Sequence, residues 1–232
     1  MSPEPAQATA SRPGLVIFDC DGVLVDTERL ATAIEARTLT AMGHPHTQAD
    51  VVATFMGRSA ADAFTLLTDL LGPARALEFD ERSTAETREA FARELAPVPG
   101  VVAVLDAVEA AGLRYCVASS GSHARMELTL GTTGLSDRFV GRIHSAEAVD
   151  RGKPWPDVFL HAAAREGVDP SGCVVIEDSV NGVLAARAAG MEVLGFAGGL
   201  AGAEALRQAG ATLFDEMADL PPLLGLYNSR SA

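Results

Sequence analysis

Two carboxylates, Asp19 and Asp21, follow directly on the apolar run Leu15-Val16-Ile17-Phe18. A β-branched and aromatic run that stops at Asp-Gly is ordinary strand-and-turn chemistry, but two carboxylates in one small space need something positive beside them. Three other segments carry polar groups in comparable places: Ser119-Ser120-Gly121 after "RYCVA", Glu177-Asp178-Ser179 after "CVVI", and Lys153 in "RGKPWPD". Carboxylates from two strand ends form an oxygen donor set that suits a hard cation such as Mg²⁺, which keeps waters and binds phosphate together with one or two carboxylates. Ser119, with the backbone N–H groups leading into the next helix, makes a cradle for an anion, and Ser120 belongs to the same turn. Lys153 adds a point positive charge; it is the only lysine in the chain, every other basic residue being arginine. Asp19, Glu177 and Asp178 with a dianionic phosphate outweigh Mg²⁺ and Lys153, and the surplus negative charge favours a proton on Asp21, the group placed to act as an acid.

These residues must be brought together by the elements that carry them. From Glu28 to Ala96 the apolar pattern is helical, with Ala60, Phe64, Leu67 and Leu71 spaced by 4, 3 and 4, and "GHPH", "GRS" and "GPA" divide the block into roughly four helices. "APVPG" at 96–100 marks a change of texture to alternating helices and strands, the strands being "LRYCVAS", a stretch near "RFVGRIHS", "CVVIED" and "EVLGF". That alternation implies an α/β fold with a parallel, Rossmann-like sheet covered by helices on both faces. The expected organisation is a flexible tail over residues 1–12, an α/β core formed by 13–27 and 97–232, and an inserted all-helical domain over 28–96. In an open parallel sheet, ligands bind at the carboxyl ends of the strands, where the polar groups above fall.

Taken in order, the motifs "DCDGVLVDTE", "VASS", Lys153 in "GKPWPD" and "IEDSVNGVLAARAAGM" resemble those of the haloacid dehalogenase superfamily, in particular the small phosphatases and β-phosphoglucomutases with a helical cap inserted after the first motif. The resemblance implies that Asp19 is a nucleophile forming an aspartyl-phosphate, and that Asp21 protonates the leaving alcohol and later activates water. It implies Mg²⁺ held by Asp19, the Asp21 carbonyl and Asp178, with Glu177 nearby or also a ligand. Ser119 and Lys153 would bind the phosphoryl group. The activity implied is Mg²⁺-dependent hydrolysis of a small phosphorylated metabolite, a sugar phosphate or sugar-acid phosphate; a phosphosugar mutase of the β-phosphoglucomutase type is the alternative. Mutases of the family carry a His about twelve residues after the nucleophile and a cap lysine, whereas this chain has Ala31 there and no lysine before Lys153. The missing lysine also counts against a phosphonate hydrolase, Asp21 against a true haloacid dehalogenase, and the intact set of four motifs against a non-catalytic binder.

The remaining features bound the reading. Thirty-one acidic against eighteen basic residues give a net charge of −13, which repels a nucleic-acid backbone. Cys20, Cys116 and Cys173 lie in or beside apolar runs, where a free thiol packs as a small hydrophobe, and this suits the cytoplasm. No apolar run reaches the roughly 18 residues of a membrane span. The five histidines show no metal-ligand spacing. Arg58 in "MGRS" could reach a distal anionic group of the substrate from the helical block, and Trp155 is expected to pack its loop against the core. Monomer and small homo-oligomer both remain open.

Overall fold

The computed structural model describes residues 12–55, 60–200 and 202–226. Arg58, and the expected tail apart from Arg12, lie outside them. The first strand, β1 (Leu15–Phe18), is followed by α1 (Thr27–Ala41), α2 (Gln48–Phe55), α3 (Ala60–Leu71) and α4 (Pro73–Glu94). Then come α5 (Val101–Ala110), β2 (Arg114–Ser119), α6 (His123–Thr132), β3 (Ile143–Ser145), α7 (Asp157–Glu166), β4 (Cys173–Glu177) and α8 (Val180–Ala188). The chain continues through β5 (Glu192–Phe196), α9 (Ala203–Ala209), β6 (Thr212–Phe214) and α10 (Leu220–Leu223).

The six strands form one parallel sheet in the order β3-β2-β1-β4-β5-β6. β1 is central because both its faces are apolar: all four residues are fully buried. Val16 and Phe18 pack with Val101, Leu105 and Met126 on one face, and Leu15 and Ile17 with Val158, Phe159 and Val183 on the other. Burial of each such side chain contributes about 1.5–3 kcal/mol. Strand order reverses on either side of β1, and Phe18 pairs with Val117 of β2 and Ile176 of β4. This is the topological switch at which open α/β sheets hold ligands. The register places Asp19 beside the ends of β2 and β4, which carry Ser119 and Glu177.

Helices α1 to α4 build a separate apolar cluster around Leu39, Val51, Leu67, Leu71 and Phe79. The two chain segments that join them to the sheet run side by side: the Asp26 amide donates to the Ala96 carbonyl (3.0 Å), and the Val98 amide to the Leu24 carbonyl (3.0 Å). Two details differ from the sequence expectation. The edge strand β6 and the short helices after it were not anticipated, because three residues carry no readable period. Trp155 does not pack into the core: it is 53% exposed, with the Arg151 guanidinium 4.6 Å from its ring centroid, a cation–π stack that satisfies a flat aromatic face at the surface. All three cysteines are free and buried. Among the described residues, no helix is long and apolar enough to cross a membrane.

Candidate active site

Asp19 leaves the end of β1 and meets Lys153, whose Nζ donates to Asp19 Oδ1 at 2.6 Å and to Glu177 Oε1 at 2.6 Å. The lysine side chain is 5% exposed and also lies over the Phe159 ring. Glu177, fully buried, is tied at its other oxygen: Oε2 accepts from the Asp178 amide (2.9 Å), the Ser179 amide (2.8 Å) and Ser179 Oγ (2.9 Å). Ser179 also caps α8, its Oγ accepting from the Gly182 amide (3.0 Å). Only glycine fits at 182, since a Cβ there would stand 1.7 Å from Glu177 Oε1. The local sequence Glu-Asp-Ser-x-x-Gly thus ends the strand, starts the helix and locks the glutamate in one stroke.

Asp178 is buried, and its Oδ2 has no hydrogen-bond partner among the described residues. Oxygens of Asp19, Glu177 and Asp178 lie within 4.8 Å of one another. Gly22, at φ +80°, keeps this space open: a Cβ would sit 2.0 Å from Asp178 Oδ2. An orphaned buried carboxylate oxygen is costly unless a cation meets it. Asp19 and Asp178 therefore fit a hard divalent ion. Glu177, with both oxygens already engaged by protein donors, is placed to hold Lys153.

The electrostatics point the same way. Burial raises Asp19 to about 7, against the pull of Lys153 and with the push of Glu177. Burial raises Glu28 to about 7 as well, with Asp19 and Asp21 adding to it. Asp178 is raised well above the usual carboxylate range, first by burial and then by Glu28 and Glu177. Burial opposes the charge on Lys153, but Asp19 and Glu177 outweigh it and hold the ammonium above its ordinary range. One lysine is too little positive charge for this many carboxylates.

Asp21 is held by other partners. Its Oδ1 accepts from Thr27 Oγ1 (2.7 Å) and from Arg125 Nη2 (3.2 Å), and its Oδ2 from Arg125 Nε (3.4 Å). Ser119 is buried at the end of β2, its Oγ accepting from the Gly121 amide (3.1 Å), and Ser122 caps α6. Ser145 Oγ donates to the Gly121 carbonyl (2.7 Å) and fixes this turn. Ser120 is exposed. Asp19, Lys153, Glu177 and Asp178 are thus in one cluster, Asp21 and Ser119 border it, and Thr27, Glu28 and Arg125 are additions. Thr27 and Glu28 lie inside the quoted "DTE", but an arginine on a polar helix face gives no signal in one sequence. Cys116, His144 and Glu166 also approach within 4.8 Å of one another, where His144 Nε2 and Glu166 Oε1 already pair at 2.9 Å.

Two cavities lie close to the site residues. One, of about 460 Å³, is lined by Gly22, Glu28, Arg29, Asp178 and Gly199. The other, of about 560 Å³, lies between α6 and the helical block and is lined by Ala31, Glu35, Phe64, Arg88, Phe91 and Arg125.

Residues 13–190 match the model of the haloacid dehalogenase-like hydrolases, and the chain belongs to that family, among its phosphoric monoester hydrolases. It is 33% identical over 198 residues to the phosphorylated carbohydrates phosphatase of Thermotoga maritima, covering 84% of this chain and 91% of that protein. It is 30% identical to the 6-phosphogluconate phosphatase of Escherichia coli, over 80% of this chain and 83% of the relative. A haloacid dehalogenase family hydrolase from Deinococcus radiodurans, solved with bound phosphate and sodium, superposes with a TM-score of 0.81 at 30% identity, covering 93% and 97% of the two chains. A similar match spans only 17% of a longer Arabidopsis thaliana chloroplast protein, Suppressor of quenching 1.

Proposed function

We propose that the protein is a Mg²⁺-dependent phosphatase of a small phosphorylated carbohydrate, working through a phosphorylated Asp19. The observation that carries this reading is the convergence on Asp19 of the Lys153 ammonium and the partnerless Asp178 oxygen. The phosphate bound in the Deinococcus radiodurans relative, and the phosphorylated carbohydrates and 6-phosphogluconate in the names of the other two, support it.

Asp19 attacks phosphorus; the bond from phosphorus to the substrate oxygen breaks, and Asp21 gives its proton to the departing alkoxide. Asp21, now a carboxylate, takes a proton from water as that water attacks the same phosphorus. The bond to Asp19 then breaks, releasing phosphate and restoring both aspartates. Lys153 and Ser119 hold the phosphoryl oxygens, and Glu177 keeps the lysine aimed at them. Mg²⁺ between Asp19, the Asp21 carbonyl and Asp178 would neutralise charge on the phosphoryl group. In this reading, residues 28–96 act as a cap over the site, the larger cavity takes the sugar, and closure excludes water during the first transfer. Three buried free thiols are consistent with a reducing cytoplasm.

The test is a phosphate-release screen over sugar phosphates and sugar-acid phosphates. Release is expected with Mg²⁺, to be lost with chelator and to return when Mg²⁺ is restored. Turnover indifferent to chelation would overturn the metal assignment. Isomerisation of β-glucose 1-phosphate without net release would replace the phosphatase by a mutase.

A further inference from the structure

Arg125 is the contact that the proposed chemistry leaves unused. It stands in the first turn of α6, and its guanidinium reaches both oxygens of Asp21. On its other side the same group lies 5.4 Å from the ring centroid of Phe91, a buried residue of α4 in the helical block. Its side chain is 46% exposed, so the pair is too wet to be kept for stability. Gly121 leaves room for the arrangement: even a Cβ there would sit 3.6 Å from the Arg125 side chain and 3.7 Å from Asp21 Oδ2.

We infer that Arg125 is a positioning residue: with Thr27 it fixes the orientation of the Asp21 carboxyl group, and through Phe91 it ties that orientation to the position of the helical block. This rests on the assignment of Asp21 as the group that protonates the leaving oxygen. A carboxyl group on a single freely turning bond satisfies that role in only a fraction of its orientations. Donors arriving from two elements, the start of α1 and the first turn of α6, restrict it to one. Thr27 alone contacts a single oxygen and leaves the plane of the group free to turn. Arg125 contacts both oxygens with two nitrogens of one planar fork, which sets the plane. The ring of Phe91 in turn sets the fork, so displacement of α4 from α6 would free the arginine and with it the acid. The acid is then held in register only while the helical block covers the site.

The experiment compares leaving groups. p-Nitrophenolate departs without protonation, whereas an alkoxide needs the acid, so a defect confined to acid positioning falls on alkyl phosphates. Asp21 also activates water in the second step, which both substrates share, so the comparison is made in kcat/KM, which reports the first transfer alone. Arg125→Met should lower kcat/KM on an alkyl phosphate roughly tenfold more than on p-nitrophenyl phosphate, with an unaltered thermal melt. Arg125→Lys, which offers a point charge instead of a fork, should recover only part of the loss. Phe91→Leu should show the same selectivity more weakly. Equal losses of kcat/KM on the two substrates, or no loss, would each overturn the inference. Asp21→Asn is the control for the reading beneath it. If that variant is selective and Arg125→Met is not, the positioning role alone falls; if Asp21→Asn shows no selectivity, the acid assignment falls and takes the positioning role with it.

Discussion

In the proposed mechanism Asp19 has to be ionised to attack phosphorus, yet burial and Glu177 hold its carboxyl up to about 7 against the pull of Lys153. The conflict is resolved only when more positive charge arrives, and because a phosphorylated substrate brings negative charge, that task falls to the cation. Replacing Asp19 by Asn removes the carboxylate nucleophile, and with it one negative charge from a crowded site. Phosphate release should fall by about 10³-fold or more, while the circular dichroism spectrum and melting temperature are maintained. Substantial residual turnover would remove Asp19 from the nucleophile's role. At this scale the sequence was legible through the set: Asp19 and Asp178 each follow an apolar run and Lys153 is the only lysine, features that strand-and-turn or capping chemistry explains singly but not together. Arg125 was not legible, since its meaning lies in a contact across 104 residues of chain. Trp155 misled for a related reason: a large aromatic predicts burial, but an arginine from its own loop covers it.

Between residues and molecule, the fit of α8 against the end of β4 decides whether the site is assembled. The helix must start immediately after Asp178, and its first turn passes so close to Glu177 that position 182 tolerates no side chain. Gly182→Ala should destabilise the protein by about 1–3 kcal/mol, as overpacking does, and loosen Lys153 through the displaced glutamate. Urea denaturation followed alongside kcat would check this, and an unshifted midpoint would mean that α8 can move freely. Strands β1, β2, β4 and β5 and the helices between them were readable because each has a full apolar period and a Gly or Pro boundary. The four-helix block was readable from its 3–4 spacing. The edge strand β6 was not, because three residues paired on one side are specified by their neighbour β5 and not by their own pattern. Nor could spacing show that the segments around Leu24 and Val98 pair, a contact that joins the two ends of the helical block.

For the whole molecule, part of the acidic excess behind the net charge of −13 falls in this site, where carboxylates are forced together without enough cations. Asp19 and Glu28 ionise near 3.8 and 4.5 as free side chains but near 7 in the fold. Their protonated forms are the ones the metal-free fold prefers. Their contribution to stability is therefore present at low pH and is lost as pH rises through that window. A divalent cation reverses the preference, because it binds only the ionised groups. The rise in melting temperature on adding Mg²⁺ should accordingly be larger at about pH 8 than at about pH 5, where protons compete for the same oxygens. Equal shifts at both pH values would place the ion elsewhere.

The scarcity of lysine has a further consequence. The one side-chain amine in the polypeptide sits 5% exposed, clamped between two acids, so acylating reagents and lysine-directed modifying enzymes find no side-chain target on the folded surface. Acylation of Lys153 would require the centre of the protein to open, and the extent of labelling would clock that opening without any probe having to be introduced.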